Sequence, residues 1–90
     1  MSRLRAARHR DRPAIEALLA ANDLPTVGVA DHLRGFVVAE EAARVVGAAG
    51  AEVYGRHALL RSVVVDPAHR GRGIAGRLVD RVLERLAAGG

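Results

Sequence analysis

The stretch from Ser62 to Gly76 constrains the fold of this chain more than any other part of the sequence. Its valines are followed by Asp66-Pro67, and because proline cannot donate to a sheet ladder, a buried strand is predicted to end there. A short loop of arginines and glycines comes next and leads directly into an amphipathic helix. A strand, a glycine-rich loop and a helix in direct succession are typical of chains in which helices pack on a sheet.

The helix after this loop has the clearest periodicity in the sequence. Its apolar face is formed by Ile74, Ala75, Leu78, Val79, Val82, Leu83 and Leu86. Upstream, the patterns predict a strand at 3–8, a helix from 11 to about 21, a helical turn at 30–34, and strands at 36–39, 45–54 and 58–65. Gly47 and Gly50 predict a bulge or a close backbone approach within the strand 45–54. The resulting order, β-α-α-β-β-β-α, indicates an α/β or α+β fold.

Composition narrows the class of protein. A chain of 90 residues buries one small core, so a single domain is predicted. It has no cysteine, which excludes disulfides and thiolate chemistry, and its four histidines lack partners at metal-ligand spacing, so no metal is expected. No apolar run approaches the length of a membrane span, and a cytoplasmic protein is expected. All 14 basic residues are arginine and the net charge is +4, which fits an anionic ligand as well as a coding bias.

The loop between the strand and the last helix has the features of an anion site. Gly71, Gly73 and Gly76 let the backbone approach a ligand, and the first-turn N–H groups of the helix point outward with the positive end of its dipole. Arg70 and Arg72 add full charges, so a phosphate or pyrophosphate is the expected ligand. The glycine spacing also matches a dinucleotide fingerprint, but no second strand with an acidic residue follows, and no Lys-Ser/Thr follows as in a P-loop.

The segment Arg70-Gly71-Arg72-Gly73-Ile74-Ala75, with Val63-Val64-Val65-Asp66-Pro67 before it, resembles the cofactor loop of the GNAT N-acetyltransferase superfamily. The order of elements also resembles the N-terminal two-thirds of that fold. The resemblance implies acetyl-CoA as co-substrate, with its pantetheine beside Val63, Val64 and Val65, and its pyrophosphate at Arg70, Gly71, Arg72, Gly73, Ile74, Ala75 and Gly76. It implies direct transfer of the acetyl group to a primary amine of a small molecule, without a covalent enzyme intermediate.

The same resemblance implies that the sheet of the family continues after the last helix. Residues 1–90 are therefore expected to be a C-terminally incomplete domain that lacks one wall of the cofactor cleft, with weak or no activity alone. Two short segments, 24–26 and 60–63, resemble the small bacterial acetyltransferases associated with arsenic resistance. This finer likeness implies a role in arsenical or toxin resistance.

Acetyl transfer needs a neutral amine, hence a base, and donors that stabilise the tetrahedral oxyanion. Glu52 is the candidate base, acting through water, although a solvent-facing strand residue is the alternative for it. Arg61 either binds an anionic substrate or pairs with Glu52 across the hairpin. Tyr54 lies beside the turn, where packing or exposure is expected of it. His69, just before Arg70, is expected to contact the loop.

Two further classes of function stay open. Arg3, Arg5, Arg8, Arg10 and Arg12 would serve as the phosphate-contacting arm of a nucleic-acid-binding module, although the chain has only one Phe, one Tyr and no Trp for stacking. Alternatively, an inactive remnant of an acetyltransferase would associate as a homodimer through its exposed sheet edge, the strand that ends at Val65.

Overall fold

The computed structural model describes residues 2–89 as a four-stranded antiparallel sheet with two α-helices. In chain order the elements are β1 (Arg3–Ala6), α1 (Arg12–Ala21), β2 (Phe36–Glu41), β3 (Arg44–Tyr54), β4 (His57–Val65) and α2 (Ile74–Gly89). Short 3-10 turns at His9–Asp11, Leu33–Gly35 and Pro67–His69 lie between them. Within residues 2–89, no helix is long and apolar enough to cross a membrane.

The strands lie in the order β1-β2-β3-β4, so β1 and β4 form the two edges of the sheet. Successive side chains of a strand point to opposite faces, and both faces here carry apolar residues. Val37, Ala39 and Ala49 pack with Ile74, Leu78 and Val82 of α2 on one face. Val38, Ala48 and Val64 pack with Ile15 and Leu19 of α1 on the other. The thin core is therefore divided between two layers.

The predicted strands and both long helices are confirmed, with small differences at their ends. β1 ends at Ala6 because the chain turns into the 3-10 turn at His9–Asp11. The helical turn predicted at 30–34 is found slightly later, as the single 3-10 turn Leu33–Gly35. The Gly35 N–H closes it by donating to the His32 carbonyl at 2.8 Å, and residues 27–32 before it form turns rather than a helix.

β3 has the predicted bulge where it pairs with β2, because Ala39 pairs with Gly47 and Glu40 with Val45, so Val46 is the extra residue. A second bulge lies in β4, opposite Gly50 of β3. Ala49 pairs with Val63 but Ala51 pairs with Leu60, so two residues of β4, Arg61 and Ser62, lie opposite Gly50. A Cβ at Gly50 would come within 2.5 Å of the Phe36 ring, so only glycine fits there. The bulge in β4 changes the direction of the Arg61 and Ser62 side chains at the free edge of the sheet.

Arginines of α2 reach backbone oxygens beyond the helix. Arg77 donates to the Ser2 hydroxyl and carbonyl, at 3.0 and 3.3 Å, and Arg81 lies 3.5 Å from the Leu4 carbonyl oxygen. Arg85 donates to the Phe36 carbonyl, at 3.2 Å, and to that of Arg34. We call Arg77, Arg81 and Arg85 the arginine ladder. It ties α2 to the β1 side of the sheet, so these three charges have partners within the fold.

A second charged group closes the turn between β1 and α1. Arg5 makes two hydrogen bonds to Asp11, of 2.7 and 3.0 Å, and lies 3.3 Å from Glu40 on β2. Asp11 is buried and also accepts from the Arg8 N–H at 2.6 Å. The hydrogen bond from Arg5 lowers the pKa of Asp11, and the same contact raises the pKa of Arg5.

Asp11→Asn is expected to lower the free energy of unfolding by about 1.5–3 kcal/mol at neutral pH, because it weakens charge-assisted hydrogen bonds. Since the pKa of Asp11 is lower in the folded chain, its contribution is present above about pH 4 and is lost as the pH falls through the folded-state value. Urea unfolding of both chains from pH 7 downward measures the difference, which narrows below about pH 4. Asp80→Asn, at an exposed position of α2, is the control. An equal effect of the two changes would contradict this account.

Candidate functional site

The residues after β4 surround a cavity of about 340 Å³. Its walls come from the end of β4, the loop, the first turn of α2 and the end of α1. The lining residues are Asn22, Leu24, Val63, Val64, Val65, His69, Arg70, Gly71, Gly73, Ile74 and Ala75. The cavity brings together most of the residues proposed to bind the cofactor. Of the described residues in that set, Arg72 and Gly76 do not line it.

The two loop glycines have backbone conformations that favour glycine. Gly71 has a φ of +83° and Gly73 a φ of +76°, and a Cβ at either position would meet nothing within 4 Å. The first hydrogen bond of the helical ladder of α2 runs from the Arg77 N–H to the Gly73 carbonyl, at 3.1 Å. The N–H groups of Ile74, Ala75 and Gly76 therefore precede the helical ladder and are free to bind an anion.

The backbone of β4 offers a second set of hydrogen-bonding groups. The Asp66 N–H donates to the Val46 carbonyl of β3 at 2.8 Å. The direction of backbone groups alternates along an antiparallel pair. The backbone N–H and carbonyl of Val64 therefore also point toward β3, whereas those of Val63 and Val65 point away from the sheet. One of these outward groups, the Val65 carbonyl, accepts from the Arg70 Nε at 3.1 Å. The Val63 N–H and carbonyl and the Val65 N–H border the cavity.

The two loop arginines are held differently. Arg70 donates to the Asn22 side chain at 2.6 Å as well as to Val65, so it joins the loop to the end of α1. Arg72 is half exposed, and its Nη1 lies 3.5 Å from both carboxylate oxygens of Glu41. His69 Nε2 is 3.6 Å from the same carboxylate. Arg70 thus positions the loop, while the charge of Arg72 is shared with Glu41.

A polar cluster lies farther along β4, at the bulge. Glu52 is buried, which corrects the expectation of a solvent-facing residue, and it accepts from Arg61 Nη1 at 2.6 Å, as the predicted pairing across the hairpin requires. The Tyr54 hydroxyl, on a half-exposed ring, also donates to Glu52. The hydrogen bonds from Tyr54 and Arg61 lower the pKa of Glu52 against the effect of burial, and the bond to Glu52 raises the pKa of Tyr54.

Sequence reasoning missed one member of this cluster, His32. Its Nε2 is 3.4 Å from the Glu52 carboxylate, and its ring centroid is 6.1 Å from that of Tyr54. His32 belongs to the loop between α1 and β2, and no periodicity places a loop residue over a strand. The one local signal is Gly28, whose φ of +90° favours glycine and lies in the loop that brings His32 to Glu52.

Three cavities follow one another along the free edge of β4, from the loop to this cluster. The cavity at the loop shares Leu24 and Val63 with a cavity of about 400 Å³ beside 59–63. That cavity shares Arg61 and Ser62 with a small one that is also lined by His32 and Glu52. We call this path the β4 groove. It has an anion site at one end, exposed backbone groups in the middle and ionisable side chains at the other end.

Comparison with known protein families and solved structures assigns the chain to a family with this fold. Residues 3–90 match the model of the acetyltransferase (GNAT) family, and the chain belongs to that family. No curated protein sequence matches it at the significance required of a relative.

Solved structures give the same fold. Rv2747 from Mycobacterium tuberculosis, solved in complex with CoA, is 31% identical, with a TM-score of 0.82 over 96% of this chain and 58% of that one. A GNAT family acetyltransferase from Brucella melitensis, solved with acetyl-CoA, is 26% identical, with a TM-score of 0.80 over 100% of this chain and 71% of that one. The ribosomal-protein-S18-alanine N-acetyltransferase from Escherichia coli, at 18% identity and a TM-score of 0.83 over 100% and 62%, shares the fold. The chain thus spans 58% of the length of Rv2747.

Proposed function

We propose that this chain binds acetyl-CoA in the β4 groove and takes part in transfer of the acetyl group to a primary amine of a small molecule. The observation that carries the proposal is that the anion site at the loop lies directly beside the unpaired edge of β4, with both lining the same cavity. The Mycobacterium and Brucella structures, solved with CoA and acetyl-CoA, support the choice of ligand.

The residues at the loop suit the pyrophosphate of acetyl-CoA. Gly71 and Gly73 leave open space at the surface, and the free N–H groups that follow supply donors at the positive end of α2. Arg72 would add a positive charge at a bound phosphate if its side chain exchanged its contact with Glu41 for one with the phosphate. In this proposal the loop residues from Arg70 to Gly76 form the phosphate end of the site.

The middle of the groove suits the amide-containing arm of the same molecule. Val63 and Val65 offer backbone donors and acceptors at a strand edge, and an extended amide chain can add to such an edge as a further strand does. Pairing there would direct the thioester toward Arg61 and Ser62, at the bulge. The proposal therefore assigns Val63, Val64 and Val65 to the pantetheine.

The far end of the groove has the groups that the chemistry needs. The acceptor arrives as an ammonium and must lose a proton before its nitrogen attacks the thioester carbon; the C–N bond then forms, the C–S bond breaks and the thiolate of CoA is protonated. Glu52 provides a carboxylate that attracts the ammonium, and Arg61 is placed to contact an anionic group of the acceptor. Both residues are proposed as part of the catalytic end of the site.

The arginine contacts count against a nucleic-acid arm. Arg5 is engaged by Asp11 and Glu40, and Arg12 lies 3.1 Å from Glu16, so two of the five predicted phosphate contacts face carboxylates instead. Three expectations from the sequence remain parts of the proposal: an incomplete domain, a cytoplasmic location, and a role in arsenical or toxin resistance. Association through the β4 edge is an alternative to it, because a second copy would occupy the backbone groups assigned to the pantetheine. Gel filtration over a range of concentrations, with and without acetyl-CoA, tests this alternative.

Calorimetric titration with acetyl-CoA at two salt concentrations tests the proposal. One-site binding that depends modestly on salt is expected, together with slow release of free thiol when a panel of small primary amines is added, since an incomplete cleft is expected to act weakly. Binding to DNA or RNA with a steep salt dependence, and no binding of acetyl-CoA, would overturn it.

A further inference from the structure

The proton carried by the acceptor amine needs a destination, and Glu52 alone is poorly suited to receive it. Its carboxylate accepts from the Tyr54 hydroxyl and from Arg61, and both contacts favour the ionised form. Its pKa is accordingly lowered. A carboxylate held ionised in this way has little tendency to take up a proton near neutral pH, because proton transfer is most effective when the acceptor's pKa lies near the working pH.

His32 lies against the same carboxylate with one ring nitrogen. Its Nε2 is 3.4 Å from Glu52 Oε2, and its side chain is about one-quarter exposed, at 27%, whereas that of Glu52 is 7% exposed. In a neutral imidazole one nitrogen has a hydrogen and the other a lone pair. A lone pair on Nε2 would be repelled by the carboxylate, so the hydrogen is expected on Nε2 and the lone pair on Nδ1.

We propose that His32 is the proton acceptor for the amine substrate and that Glu52 positions it. This inference rests on the proposed acetyl transfer. Nδ1 of His32 takes the proton of the acceptor ammonium; the neutral amine then forms the C–N bond as the C–S bond breaks, the second proton of the nitrogen passes to the departing thiolate, and His32 returns its proton to solvent. The arrangement uses a carboxylate to fix the imidazole tautomer and to stabilise the imidazolium that forms.

The surroundings of His32 fit this role. Glu52 and Tyr54 face it from β3, and Arg61 reaches the same carboxylate from β4. His32 lines the small cavity at the end of the β4 groove together with Ser62 and Arg61, the residues of the bulge. The proton acceptor therefore lies at the end of the groove opposite the anion site, where the thioester of a bound acetyl-CoA would be.

Nitrogen NMR of the neutral imidazole tests the geometry without any turnover. The Nε2–H tautomer is expected for His32 in the wild-type chain, and Glu52→Gln is expected to weaken that preference. An Nδ1–H tautomer in the wild-type chain would overturn the inference, because Nδ1 would then have no lone pair to offer. His57, exposed at the start of β4, provides an internal reference in the same spectrum.

Single-turnover acetyl transfer by wild type and His32→Gln tests the role. At pH 8, His32→Gln is expected to lower the rate about 100-fold with a strongly basic primary amine, which is almost entirely an ammonium at that pH. The loss is expected to stay within about twofold with a weakly basic primary amine, which is already neutral and has no proton to lose, and His57→Gln should leave both rates unchanged. An equal loss with the two amines overturns the inference while the proposed function stands. A wild-type chain without acetyl-CoA binding or transfer overturns the proposed function, and this inference with it.

Discussion

Gly73→Glu is expected to weaken acetyl-CoA binding at least about 100-fold, a loss of about 2.7 kcal/mol. Two effects act together. The residue has a φ of +76°, which a side chain with a Cβ adopts only with strain, and the new carboxylate would stand at the positive end of α2, where the pyrophosphate is proposed to bind. Calorimetric titration of both chains measures the change, and circular dichroism verifies that the variant is folded.

Gly55→Glu is the matched control for this substitution. Gly55 also has a positive φ, of +60°, and open space around it, but it lies in the turn between β3 and β4, outside the β4 groove. The control introduces the same strain and the same charge, so its effect on binding is expected to stay within about twofold, or 0.4 kcal/mol. Equal losses in the two variants would show that the loop does not bind the cofactor.

Leu78→Ala is expected to lower the free energy of unfolding by about 3–5 kcal/mol. Leu78 is fully buried at the centre of the layer between α2 and the sheet. Its Cδ1 packs directly on the backbone of β3, because a Cβ added at Gly47 would lie only 3.1 Å from it. Because Leu78 is held between the sheet backbone and the rest of α2, its surroundings have little freedom to collapse into the cavity that alanine would leave. For a small domain this loss is a large share of a total of about 5–15 kcal/mol.

Urea unfolding followed by circular dichroism measures the effect of this change. Leu83→Ala is the control, because Leu83 lies on the same helix but is 51% exposed, so its removal is expected to cost less than about 1 kcal/mol. Similar losses at the two positions would contradict the packing of α2 described above.

The regular elements could be predicted because their patterns are local. The helical period of Ile74, Leu78 and Val82 survives intact in α2, and the bulge expected within β3 lies at Val46, beside Gly47. The helical turn predicted at 30–34 lies at Leu33–Gly35, and its bounds could not be predicted because a single 3-10 turn is too short to have a hydrophobic period. That segment is fixed by its contact with the sheet rather than by its own periodicity.

The candidate site divides in the same way. The loop residues from Arg70 to Gly76 are contiguous in the chain, so their proximity to one another is a property of the sequence. Glu52 and His32 are brought together by the way the loop 24–32 crosses the sheet, and no local pattern encodes that crossing. The burial of Glu52 and its contact with His32 could therefore be learned only from the structure.

The arginine ladder has a consequence for self-association. Arg77 and Arg81 occupy carbonyl oxygens on the β1 side, which leaves β4 as the edge where a strand from elsewhere can add. Two copies meeting in this way would have to pair β4 with β4, an isologous contact with twofold symmetry that uses up both edges at once. In such a pair both β4 edges would be used, and further growth would have to displace the arginine contacts on the β1 side.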